Sequence, residues 1–250
     1  MNSIDEVLQR LDAIIGQSIQ SRSPGGYFPA LYRRVTAAVK QDIERGAFDS
    51  NERMEQLDIH FAQRYFDAFE NHAEGKPVTH SWKAAFAGQE SPSLIVLQHL
   101  LLGMNAHISL DLGISTAAIA DRGDPLAIKE DFFRINAILG SFINDTQKRL
   151  TRVFGPLGVI DHLLGDVDES LSLFSIEYAR DKAWTQALEL IVADEPTREA
   201  LIAQRDKAVA GFSSRIARPR NLTLRLLIRL IRLAEKGDLP WRIEVLKNHY

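Results

Sequence analysis

The chain of 250 residues contains no cysteine. That absence removes disulfides, thiol nucleophiles, iron–sulfur clusters and cysteine-ligated zinc in one step. A strong charge of one sign is missing too. Lys and Arg number 30 against 33 Asp and Glu, leaving a formal net charge of −3 and a pI near 6.2. No global positive field recruits nucleic acid, and none is expected as a partner. The opening Met1-Asn2-Ser3-Ile4-Asp5-Glu6 carries acids early and lacks a basic stretch followed by an apolar run. A secretory signal is therefore not expected, and a cytoplasmic setting is.

Long apolar runs are scarce. Residues 91–110 lack Asp, Glu, Lys and Arg, yet they hold Gln98, His99, Asn105, His107 and Ser109. Those polar groups are too many for a lipid-exposed span, so the segment reads as a buried core helix. Common site motifs are absent as well: no G-x-x-x-x-G-K-[ST], G-x-G-x-x-G, G-x-S-x-G or H-E-x-x-H occurs. This argues against the usual nucleotide-binding, serine-hydrolase and zincin chemistries.

What is present is an ordinary globular composition, 45% hydrophobic and 25% charged, punctuated by Pro and Gly. Between the punctuation, apolar residues recur with the helical period and nowhere convincingly with period 2. The expected fold is all-α, a single helical domain over residues 1–250. Helices are expected at Ile4–Gln20, at 28–45 with Gly46 as C-cap, and at 49–73 with Asp49 as cap. A short helix at 82–87 leads into a long central one at 92–120. Further helices are expected from Asp124-Pro125 to 154, from Asp166 to 193, from Asp194 to 216, and from Pro219-Arg220-Asn221 to Gly237.

The central helix is apolar on most sides and should be buried. Yet His99, Gly103, His107 and Asp111 follow one another along it at four-residue steps. Gly103 would open a notch between the two imidazoles, and His107 and Asp111 are direct neighbours one turn apart. Such a set can hold a divalent metal through His99, His107 and Asp111. Zinc, manganese and iron suit those donors equally, and the bound water would be a nucleophile. Alternatively Asp111 orients His107 as a general base. The plainer alternative is that each His bonds a neighbouring helix and fixes the packing. Asp58 projects from an apolar face of Met54, Phe61, Tyr65, Ala68 and Phe69, where a carboxylate either meets a cation or has a raised pKa. The adjoining stripe of Arg53, His60, Arg64 and Asp67 reads as a solvated face.

The helix expected after Asp124-Pro125 has its stripe at Ile128, Phe132, Ile135, Leu139, Phe142 and Ile143, bordered by Asn136. Arg134 either pairs with Asp131 or reaches Asp58 or Asp111. The run Asp166-Val167-Asp168-Glu169-Ser170 begins like a calcium loop, but Leu171 stands where glycine is required, so it reads as a helix cap. Near the C-terminus, Arg225, Arg229 and Arg232 share a helix face. That face either meets an anionic membrane or an acidic protein partner, or is simply solvated.

Three stretches resemble an uncharacterised bacterial family of all-helical proteins, a domain of unknown function. They are Tyr27-Phe28-Pro29-Ala30-Leu31-Tyr32, then Arg53-Met54-Glu55-Gln56-Leu57-Asp58 with Phe61-Ala62-Gln63-Arg64-Tyr65, and above all His99-Leu100-Leu101-Leu102-Gly103-Met104-Asn105-Ala106-His107-Ile108-Ser109-Leu110-Asp111. The resemblance covers roughly the first 150 residues and implies a helical fold in a non-secreted setting, with no activity to carry over. A fainter similarity to helical zinc phospholipases and nucleases rests on His and Asp spacing alone; their leading Trp ligand and repeated His-x-x-x-Asp pairs are missing here. The expected function is a small-molecule enzyme or binder. Asp58, His107, Asp111 and Arg134 would be its acid/base set, and a metal-activated water its simplest hydrolytic chemistry. The alternative is a non-catalytic helical interaction protein whose buried polar residues specify packing.

Overall fold

The computed structural model describes residues 1–154 and 176–248. Among them are eleven α-helices and no strand. We number them α1 (Ile4–Gln20), α2 (Tyr27–Glu44), α3 (Asn51–Ala73), α4 (His80–Gln89), α5 (Val96–Ala106), α6 (Leu112–Ile119), α7 (Lys129–Phe154), α8 (Ile176–Val192), α9 (Glu195–Ala217), α10 (Leu222–Ala234) and α11 (Leu239–Lys247). No described helix is long and apolar enough to cross a membrane.

Caps account for most boundaries. Ser3, Thr79, Asp194, Asn221 and Asp238 each accept a backbone N–H in the first turn of the helix that follows. Gly46, at φ 69°, closes α2 in the left-handed region. The cap of α3 is Ser50 rather than Asp49, because Ser50 Oγ accepts from Arg53 N while the amides of Asp49 and Ser50 both turn to Asp131. Two expected starts come later in the chain. The central helix begins at Val96, not 92, where Gln98 Oε1 takes the N–H of Ile95 and Glu235 takes that of Val96 at 2.7 Å. Residues 124–128 form turns, and α7 starts at Lys129. The expected helix start at Asp166 and the calcium-like run lie outside the described residues. So does the Ile143 side chain.

α11 was not anticipated, although Asp238 followed by Pro240 is a plain start signal. It buries Ile243, Val245 and Leu246 against α1 and α2.

The central helix is the axis of the molecule and threads three apolar clusters. Val96 and Leu100 belong to the first, Leu102 and Ala106 to the second, Ile108 and Leu112 to the third, and Met104 packs against all three. Its polar residues stitch it to α9: Gln98 donates to Ile216 O, and Asn105 to Val209 O and Ser213 Oγ. Such bonds explain how polar groups survive on a buried helix. Between α5 and α6 the helix loosens: His107–Asp111 is one π-helical segment, with Leu112 N–H bonding back to His107 O. π segments within helices are rare and cluster at functional sites.

Candidate functional site

The π segment places His107 and Asp111 together in the interior, both nearly inaccessible to solvent. Asp111 is the hub. Its Oδ1 accepts from Arg64 Nε at 2.8 Å, and its Oδ2 accepts from Trp82 Nε1 at 2.8 Å and faces His107 Nδ1 at 3.3 Å. Trp82 sits in the first turn of α4, whose N-terminus is gripped by Asp206 from α9 through the amides of His80 and Ser81. Arg64 comes from α3, so it belongs to the interior network and not to a solvated stripe. With Asp111 accepting, the His107 proton sits on Nδ1 and Nε2 is left basic.

Aromatic rings frame the imidazole. His107 stacks on Phe61 with centroids 3.5 Å apart, and Tyr32 meets its edge at 4.7 Å. His107 Nε2 is buried and has no hydrogen-bond partner, and the same holds for Tyr32 Oη and Asp58 Oδ2. All three residues line one cavity of about 440 Å³ between α2, α3, the central helix, α7 and α8. Its walls are otherwise mainly apolar, including Val39, Met54, Leu100, Phe132, Leu139 and Phe142. The α7 stripe of Phe132, Ile135, Leu139 and Phe142 therefore faces a cavity as well as packed core.

Burial drives the ionisation of this wall in opposite directions. It lowers His107 below the usual imidazole value, against the pull of Asp111. It raises Asp58 to about 7, helped by the nearby charge of Glu55. Tyr32 is raised well above the ordinary phenol value by burial first and by Asp58 next. Near neutral pH the cavity therefore offers a neutral imidazole and, on the same wall, a carboxyl that is about half protonated.

Arg180 of α8 lines the same cavity. It donates to Asn136 Oδ1 and Phe132 O and lies over the Phe132 ring, and no carboxylate pairs with it among the described residues. Burial lowers its pKa to about 9. Neither its role nor that of Arg64 was foreseen, because both act across helices and sequence spacing reports only neighbours on one helix.

Two of the expected site residues lie elsewhere. His99 is not on this cavity: it packs on Tyr27 and borders a second cleft with Arg232, Glu235 and Arg242. Burial, and then the charge of Arg232, lowers it to about 4. The reason is geometric, since two four-residue steps on an α-helix rotate the side chain by about 80°. Gly103 opens no notch between imidazoles; a Cβ there would lie 2.5 Å from Phe28 Cγ, so the glycine admits the Phe28 ring. The donor set His99, His107 and Asp111 is thus not assembled, and no group of three His, Asp or Glu suited to a metal occurs among the described residues. Arg134 reaches neither Asp58 nor Asp111. It is 41% exposed at the side chain and bonds Ala47 O, Asp49 and Asp131, bracing the start of α3.

Fold and site together define an all-helical protein with a mainly apolar cavity and a carboxylate-backed histidine on its wall. The chain belongs to the family of unknown function DUF5995, which it matches over residues 4–219. No curated protein and no solved structure matches it. The match takes in every residue of the His107 site and stops before α10 and α11.

Proposed function

We propose that the cavity binds a small, mainly apolar molecule and that His107 acts on it as a general base. The observation that carries this reading is the His107 ring itself. Nδ1 is turned to a carboxylate fixed by Arg64 and Trp82, while Nε2 is buried, unpartnered and on the cavity wall. A buried nitrogen without a bond costs folding free energy, and such costs concentrate where function requires them. A proton taken from a bound water or from the ligand would pass to Nε2, and Asp111 would stabilise the imidazolium that forms. Asp58, which keeps its proton up to about pH 7, is the matching acid. Opposed shifts of a base and an acid in one site are the usual arrangement for acid–base chemistry. Hydrolysis by an activated water fits this pair without a metal. A volume of about 440 Å³ suits a drug-sized ligand, and Arg180 favours one with an anionic head.

A second reading rests on the stacking of His107 against Phe61 and the encircling rings of Tyr32, Phe28 and Tyr65, which suit a residue kept for packing. The variant His107→Phe separates the two, because it keeps the stack and removes the basic nitrogen. For the proposed function, the parent protein should bind an apolar anionic fluorophore and hydrolyse aryl esters with a preference among acyl chain lengths. His107→Phe should fold as the parent does and lose hydrolysis at least a hundredfold. A parent without ester turnover or probe binding, or a His107→Phe enzyme as active as the parent, refutes the catalytic reading.

A further inference from the structure

α10 is apolar on two opposite sides. Leu224, Ile228 and Ile231 are buried in the first core cluster, while Leu222, Leu226, Leu230 and Leu233 are 75%, 57%, 55% and 84% exposed. The outward leucines recur at steps of four, four and three, which keeps them within an arc of about 80° facing away from the core. Arg225 and Arg229 are exposed and project along one margin of that arc, without an ion-pair partner among the described residues. The helix contains no Asp or Glu, and exposed Arg218 and Arg220 stand just before it. Arg232, expected to share the outer face, turns inward to Pro92 O and Glu235.

We propose that the outer face of α10 docks on an anionic membrane surface, leucines entering the acyl boundary and Arg225 and Arg229 meeting phosphate or carboxylate head groups. An apolar stripe beside cations, on a helix too short to span a bilayer, has the composition of an interfacial element. A second copy of the chain fits less well. The four side chains together expose less than three whole leucines, far below the surface of about 800 Å² per partner that stable interfaces bury. Two copies of an acid-free helix would also bring Arg225 and Arg229 against like charges. The surface is separate from the His107 cavity, so its test does not depend on the proposed function.

The measurement is co-sedimentation of the full chain with vesicles of mixed phosphatidylserine and phosphatidylcholine, against phosphatidylcholine alone, at low and physiological salt. Binding is expected to the anionic vesicles and to weaken with salt. Arg225→Gln and Arg229→Gln should each reduce it about fivefold, and the double variant Leu226→Glu/Leu230→Glu should abolish it with an unchanged helical spectrum. No binding to the anionic vesicles at low salt overturns the proposal, as do arginine variants that bind like the parent. Light scattering that shows a dimer split by Leu226→Glu/Leu230→Glu would assign the face to a second copy and overturn it as well.

Discussion

Replacing Asp58 with Asn should make the protein more resistant to unfolding above neutral pH, and the gain should grow with pH in a defined window. Asp58 is lifted from 3.8 in a free chain to about 7 in the folded protein by burial and by Glu55. Below about pH 4 the carboxyl is protonated in both states, so its ionisation favours neither. Between about 4 and 7 the unfolded chain sheds the proton while the folded protein keeps it, so each pH unit costs the native state about 1.4 kcal/mol. The accumulated cost is on the order of 4 kcal/mol above pH 7. Asn has no proton to lose and fills nearly the same space. The stability difference between Asp58→Asn and the parent should therefore widen by that amount between pH 4 and pH 8 and then level off. For a chain of this size it corresponds to a gain of about 8–16 °C in Tm. Urea titrations of both proteins at several pH values measure it. A difference that stays flat with pH, or one in which the parent gains stability as pH rises, would show that Asp58 ionises freely in the fold, and the raised pKa would be refuted.

Asp111→Ala removes the shared acceptor of Arg64 and Trp82; urea melts should show a loss of about 3 kcal/mol, at the low end for a broken interior pair because Arg64 can turn to solvent. Gly103→Ala drives a methyl into the Phe28 ring, and the denaturation midpoint should fall by the equivalent of about 1–3 kcal/mol with an unchanged slope. If ester turnover is found, its pH profile should be bell-shaped. It should rise as His107 deprotonates below the ordinary imidazole value and fall as Asp58 ionises near 7, and Asp58→Asn should remove the alkaline limb.

Helix content was plain in the sequence because the apolar period persists between the Pro and Gly breaks and a capping residue stands before several of the helices. Ile4–Gln20 is an instance: Ser3 caps it and Val7, Leu11, Ile14 and Ile15 form its buried stripe. The burial of His107 and Asp111 was legible from the periodicity too, since a helix apolar on most sides has no broad solvated face on which to place them. Asp58 was legible as an acid that either meets a cation or has a raised pKa, and among the described residues no cation pairs with it and burial raises its pKa. What sequence could not show were relations between helices. Arg64 looked solvated because its own helix pairs it with nothing charged inside, and only the approach of α3 to the π segment brings Asp111 within reach. His99 and His107 looked like partners because four-residue spacing is easy to count and its slow rotation is easy to ignore. Arg134 had three plausible acids, and proximity along its own helix and to the start of α3 decided for Asp131 and Asp49.

The π segment has a consequence for how this helix can vary. Closing its loop on the fifth residue instead of the fourth takes up one residue more than a regular turn would, so α5 and α6 keep nearly one rotational frame around an extra residue. α5 presents Gly103 to α2, while α6 presents Gly113 to α8, where a Cβ would stand 2.8 Å from the Ala183 carbonyl. Deleting a single residue between 107 and 111 would let this turn close on the fourth residue, and because the π turn already holds the extra residue within about one turn, α6 would keep nearly its present rotation relative to α5. Both close approaches would then survive, while His107 and Asp111 would move to three-residue spacing and lose their present alignment. The extra residue is thus slack that the packing of the two flanking helices does not need, taken up where the His107–Asp111 pair stands.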